Sequence, residues 1–194
     1  MRKVRRKSHR FLHFKIIKGI KIMKNEAELC TIIKNSMIDG VKIPDPSGNY
    51  TQTSIRCFDG IGVLPASRFG EESEDNIFIC WEAKYLNEPK AFSLKAVEPH
   101  QAYYLSSFST ARNIKSLLIL GVVFGRGDKR VFVFKWTDTM KKLFDNGFSF
   151  HKKELMELPF NFVEKDKEKD KFTFKFEYLI GDEELNKVYG KITN

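Results

Sequence analysis

Residues 116–124 read Ser-Leu-Leu-Ile-Leu-Gly-Val-Val-Phe, and no other stretch restricts the fold as strongly. Successive side chains of a strand point to opposite faces, so a run that is apolar throughout must be covered on both. A second dense run, Ile77-Phe78-Ile79-Cys80-Trp81, has the same character and continues through Glu82-Ala83-Lys84. Each run has a partner strand. Residues 51–58, running into 59–64, are predicted to form a long-looped hairpin with the second run across the polar, acidic loop 65–75. Residues 130–136 alternate and follow the turn Gly125-Arg126-Gly127-Asp128. A helix over 25–37 is predicted from Leu29, Ile32, Ile33 and Met37, with Asn25 as N-cap. Another starts at Glu98-Pro99, with proline in its first turn, and reaches about Arg112. The order helix, strand, strand, helix, strand, strand predicts an α/β fold, a mixed central β-sheet flanked by helices. Thr137-Asp138 caps a short helix to Phe144. In the tail, 160–163 and 172–178 are expected to pair around the charged stretch 164–171.

The length of 194 residues fits one domain, taken as 25–194 behind a basic leader, 1–24. The formal charge of +9 is unevenly placed. Residues 1–24 carry ten Lys or Arg and no acid, leaving 24 basic against 25 acidic residues in the remainder. The leader is either an arm that grips phosphates or a segment upstream of a natural start at Met23, so the net charge alone does not argue for nucleic-acid binding. No apolar run reaches bilayer length, and lysines interrupt the N-terminal apolar residues, which excludes a membrane span and a secretory signal. Cys30, Cys57 and Cys80 lack any metal-binding spacing and read as small buried hydrophobes; with no export signal the expected setting is cytoplasmic.

The chemistry-bearing residues lie at the end of the second apolar strand. Glu82 and Lys84 are two apart, so they share a face where a core strand ends. Asp59, in Phe58-Asp59-Gly60-Ile61-Gly62, also follows a strand-like run. If the two strands pair, Asp59 and Glu82 come within one metal's span, and two close carboxylates repel unless a cation lies between them. Mg²⁺ suits such a pair because it takes carboxylates and keeps several waters. Taken singly each residue has a plainer reading: Asp59 as a turn aspartate beside glycine, Glu82 and Lys84 as a sheet-edge ion pair.

An Asp, a gap, then an apolar strand ending in Glu-x-Lys resembles the signature of PD-(D/E)XK nucleases, with their restriction-endonuclease-like core. Trp81-Glu82-Ala83-Lys84, Phe92-Ser93-Leu94-Lys95 and His100-Gln101 follow in the order seen in the RecU family of Holliday-junction resolvases. Asp59-Gly60-Ile61-Gly62-Val63 resembles the segment holding that family's first catalytic Asp, and the likeness covers about residues 55–125. Glu26-Ala27-Glu28-Leu29 with Ile32-Ile33 is similar to the opening helix of archaeal resolvases, where an early Glu faces the active site. Glu26 lies about 60° from the centre of the apolar face and Glu28 about 100° away on the other side, which favours Glu26.

The resemblance implies a metal-dependent deoxyribonuclease acting in DNA recombination and repair. Asp59, Glu82 and the Ala83 carbonyl would hold Mg²⁺, with Mn²⁺ an alternative. Lys84, Gln101 and Glu26 would complete the catalytic set, with Gln101 steering the attacking water and His100 structural. Lys90, Lys95 and Arg112 are candidate backbone contacts to branched or duplex DNA. A homodimer is implied, because a junction needs two symmetric cuts. Two alternatives stay open: a phage or restriction-type endonuclease of other specificity, and a non-catalytic DNA-binding protein on the same scaffold.

Overall fold

A six-stranded mixed sheet forms the centre of the molecule. The computed structural model describes residues 23–44, 56–72, 75–111, 113–125 and 127–190. Helix α1 spans Glu26–Ser36 and strand β1 Val41–Lys42. β2 (Gly60–Pro65) and β3 (Asn76–Asn87) form the hairpin, followed by β4 (Ala91–Ser93), α2 (Pro99–Ser109), β5 (Ile114–Gly125) and β6 (Asp128–Lys135). Then come α3 (Asp138–Asp145), β7 (Ser149–His151), α4 (Lys152–Glu157) and β8 (Asn161–Phe162). The last elements are β9 (Glu164–Asp166), β10 (Lys171–Thr173) and α5 (Asp182–Tyr189). The central order is β1-β2-β3-β5-β6-β8. Among the strand pairs of the described residues β3–β5 is parallel, and α2 lies in the crossover that a parallel pair requires.

The side chains of β5 divide between two cores. Leu117 and Ile119 join Val131 and Val133 of β6 beneath α1, with Leu29, Ile33, Phe174 and Phe176. Leu118 and Leu120 join Phe132 and Phe134 on the other face, against Leu105 of α2, Met140 of α3 and Leu185 of α5. A strand covered on both sides has no solvent-facing position, which is why residues 117–120 are all apolar.

The caps follow the expected chemistry. Asn25 accepts from the Glu28 N–H at 2.9 Å and starts α1; Thr137 accepts from the Met140 N–H at 3.2 Å and starts α3. α2 ends at Ser109, short of Arg112, where the Ser107, Ser109 and Thr110 hydroxyls each bond to carbonyls three or four residues back.

Three expectations need correction. The strand expected over 51–64 begins at Gly60: residues 51–55 lie outside the described residues, and 56–58 form no strand. Asp59 therefore enters the sheet rather than leaving it, and its carboxylate takes the Ala83 N–H that a longer β2 would have bonded. In the tail, 160–163 and 172–178 do not pair as strands. β8 pairs with β6, and the charged stretch forms its own hairpin, β9 with β10. The Asp166 carboxylate holds its turn by accepting from the N–H groups of Glu168 and Lys169. The buried Asn161 side chain links β8 to 177–178, accepting from both N–H groups there. The loop 65–75 contains a 3₁₀ turn, Ala66–Phe69, closed by Gly70 in the left-handed region at φ 77°.

Gly60 allows β2 and β3 to meet where the site forms. A Cβ there would lie 2.2 Å from the Trp81 ring and 2.5 Å from the Val41 carbonyl oxygen. Trp81 is fully buried and cannot retreat into solvent. Gly60→Ala is therefore expected to destabilise the fold by about 1–3 kcal/mol, measured by urea unfolding. An unchanged midpoint would mean that β2 shifts freely.

Candidate active site

β2 and β3 run antiparallel in a register that pairs Gly60 with Trp81 and Ile61 with Cys80. The ladder ends at the Gly60–Trp81 pair, and Asp59 lies just ahead of it, beside the Trp81–Ala83 segment of β3. The two acids are buried: Asp59 is 1% exposed and Glu82 0%. The Asp59 N–H donates to the Trp81 carbonyl at 3.0 Å, and Asp59 Oδ2 accepts from the Ala83 N–H at 2.8 Å. A strand residue sends its N–H and C=O toward the same antiparallel neighbour, so the Ala83 carbonyl also leaves β3 on the Asp59 side.

Two cations face the two acids. Lys84 Nζ lies 2.6 Å from Glu82 Oε1, two residues along β3 on the shared face. The Arg56 guanidinium meets Asp59 Oδ1 as an ion pair. Glu82 Oε2 is buried and, among the described residues, has no hydrogen-bond partner. Burial raises the Glu82 carboxyl to about 7; the Asp59 charge pushes the same way and Lys84 opposes both. Burial works to lower Lys84, but the Glu82, Glu26 and Asp59 carboxylates outweigh it and hold the ammonium above its ordinary value.

Glu26 comes to this cluster from α1. Its carboxyl is raised, chiefly by burial and further by Asp59, against the pull of Lys84, Arg56 and the Tyr85 N–H. Glu28 turns away and accepts from the Lys24 N–H at 2.7 Å. The structure thus brings Glu26, Asp59, Glu82, Ala83 and Lys84 together, and adds Arg56.

The remaining expected residues lie apart from this group. Gln101 is 5% exposed, and its Oε1 accepts from the Glu98 N–H at 2.9 Å, capping α2. His100 Nε2 is 3.1 Å from the Arg56 carbonyl oxygen, which pins the segment ahead of Asp59. Lys90 is exposed at a cavity of about 870 Å³ with Phe124, His151 and Lys152, and none of Asp59, Glu82 or Lys84 lines that cavity. Lys95 is exposed, its stem against Gly147. Arg112 and residues 1–22 lie outside the described residues. Burial raises the Cys30 thiol to about 12 and the Cys80 thiol to about 11, so both behave as apolar groups.

Among the described residues, no group of three His, Cys, Asp or Glu side chains gathers tightly enough to hold a metal ion, and no helix is long and apolar enough to cross a membrane. A set of two carboxylates and a backbone carbonyl does not need a third such side chain. Its donors are all hard oxygens, which suit Mg²⁺ or Mn²⁺. The partnerless Glu82 Oε2 and the mutual repulsion of two buried acids fit a divalent cation at this point. No protein-family model matches the chain, and no curated protein matches it.

Proposed function

We propose that the chain is a divalent-metal-dependent DNA endonuclease of the PD-(D/E)XK type, acting in the manner of the RecU-like resolvases on branched DNA. The observation that supports this most is the burial of two acids at one place, Asp59 bonded to the Ala83 N–H and Glu82 next to it in β3, with Lys84 paired to Glu82. A purely structural ion pair would not need a second buried acid beside the first, at the cost of raising Glu82 to about 7.

In this reading Asp59, Glu82 and the Ala83 carbonyl hold Mg²⁺ or Mn²⁺. The chemistry such a cation supplies is polarisation of the scissile phosphate and a lowered pKa for the attacking water. Lys84 keeps its proton and places a fixed positive charge beside the phosphate, where negative charge grows in the transition state. Glu26, half-buried with a raised carboxyl, stands in reach of the same charges as a proton acceptor for water. Water attacks phosphorus and the P–O3′ bond breaks, leaving 5′-phosphate and 3′-hydroxyl ends. Two symmetric cuts in a junction require a homodimer.

The test is a cleavage panel of four-way junction, flap, linear duplex and single strand, each with Mg²⁺ or EDTA. Paired cuts in the junction that vanish in EDTA and in Asp59→Asn are expected. Preference for linear duplex at a fixed site would replace the junction reading with a restriction-type one. Absence of Mg²⁺-dependent cutting of every substrate would overturn the nuclease reading.

A further inference from the structure

The two acids are not equally open to a cation. Glu82 gives Oε1 to Lys84 and keeps Oε2 without a partner. Asp59 has both oxygens engaged: Oδ2 by the Ala83 N–H and Oδ1 by Arg56. The Ala83 N–H belongs to the backbone of a central strand and is fixed. The Arg56 side chain lies just ahead of β2, outside regular structure. Its contact with Oδ1 is made by a side chain rather than by strand backbone, so of these two contacts it is the one a cation can displace. Its backbone stays in place because His100 holds the Arg56 carbonyl.

We propose that Arg56 is a built-in competitor for the metal: its guanidinium occupies Asp59 Oδ1 and cedes that oxygen as the cation binds, and the freed guanidinium then faces the phosphodiester. The proposal rests on the nuclease reading above and names how its site is loaded. Arg56 also acts on Glu26 and Glu82, whose carboxyl groups it pulls down, so its charge reaches all three acids. A planar guanidinium released beside the site is shaped for bidentate contact with a phosphate. Arg56 therefore weakens metal binding without DNA and can exchange Asp59 for a phosphate when DNA arrives, which couples loading of the cation to arrival of the substrate.

The experiment is titration of the full chain with Mg²⁺ and with Mn²⁺, followed by calorimetry without DNA. Removing one positive charge beside the ligand oxygens in Arg56→Gln is expected to tighten cation binding about tenfold. Arg56→Lys, which keeps the charge, is expected to stay within about threefold of wild type. On the wild-type chain, nuclear magnetic resonance should show the Arg56 Nε–H and Ala83 N–H signals moving with one Mg²⁺ midpoint, a readout that does not depend on any variant folding. A folded Arg56→Gln that binds no tighter, or an Arg56 signal that stays still while Ala83 moves, would overturn the competitor role and leave the metal site standing. Absence of Mg²⁺ and Mn²⁺ binding by all three proteins would overturn both.

Discussion

Lys84→Ala is expected to slow Mg²⁺-dependent strand cleavage by a factor of about 10² to 10³, without weakening the binding of Mg²⁺. The ammonium is only 15% exposed and held 2.6 Å from Glu82 Oε1. Three carboxylates keep it protonated despite burial, so it presents a fixed charge that needs no reorganisation when the phosphate's charge grows. A charge preorganised in a poorly hydrated pocket is worth far more than the same charge on the surface. Alanine removes that charge and leaves Glu82 Oε1 free for a cation, which is why binding and rate should separate. Single-turnover cleavage of a four-way junction gives the rate, and calorimetry gives the affinity. Lys187→Ala, on exposed α5 and paired only with Glu183, serves as a surface control and should cut at the wild-type rate. A Lys84→Ala rate within about fivefold of wild type, below what removing one transition-state donor costs, would reduce the pair to a structural role.

The parts of the fold legible in the sequence are those where one local rule has no competitor. The 116–124 run requires two covered faces, and it received them. Asn25 and Thr137 cap helices because short polar side chains before an apolar period have little else to do. That Asp59 and Glu82 come close if the two strands pair was legible from the apolar runs, and β2 does pair with β3, although the strand starts only after Asp59. At Gln101 the sequence carried a second signal: Glu98 and Gln101 have the three-residue spacing of a capping pair, which engages the Gln101 side chain at the start of α2. α4 and α5 were not foreseen because each buries one leucine, Leu155 and Leu185, and one residue makes no period. β9 lies in the charged stretch 164–171, which has no apolar alternation to mark a strand, while β10 overlaps the start of the strand expected over 172–178. The hairpin stands because β10 and the segment after it pack on α1, with the Phe174 N–H donating to Ser36 Oγ at 2.8 Å. Arg56 was not singled out, since it precedes β2 in a segment without periodicity and its role appears only once Asp59 turns inward.

Between about pH 5 and pH 7 the protein should lose stability as the pH rises, by up to about 3 kcal/mol, and Glu82→Gln should remove most of that loss. The Glu82 carboxyl titrates near 4.5 when exposed and near 7 in the fold, raised by burial and then by Asp59. Across that window the folded state binds more protons than the unfolded chain, so the slope of unfolding free energy against pH is negative. The stabilisation is fully present below the unfolded value and is lost as the pH passes through the folded one. Glu26, also raised by burial, adds in the same direction. Glutamine keeps the shape of the side chain and cannot ionise, so the difference between the two proteins isolates this group from all others that titrate. Urea unfolding in EDTA at pH 5, 6, 7 and 8 measures it, and parallel profiles for the two proteins would show that Glu82 titrates as it does in water. The same group sets the response to metal. A cation needs the carboxylate, so added Mg²⁺ should raise the unfolding free energy at pH 8 more than at pH 5.5 in wild type. Glu82→Gln should show little of that gain at either pH, and an equal gain in both proteins would place the cation elsewhere.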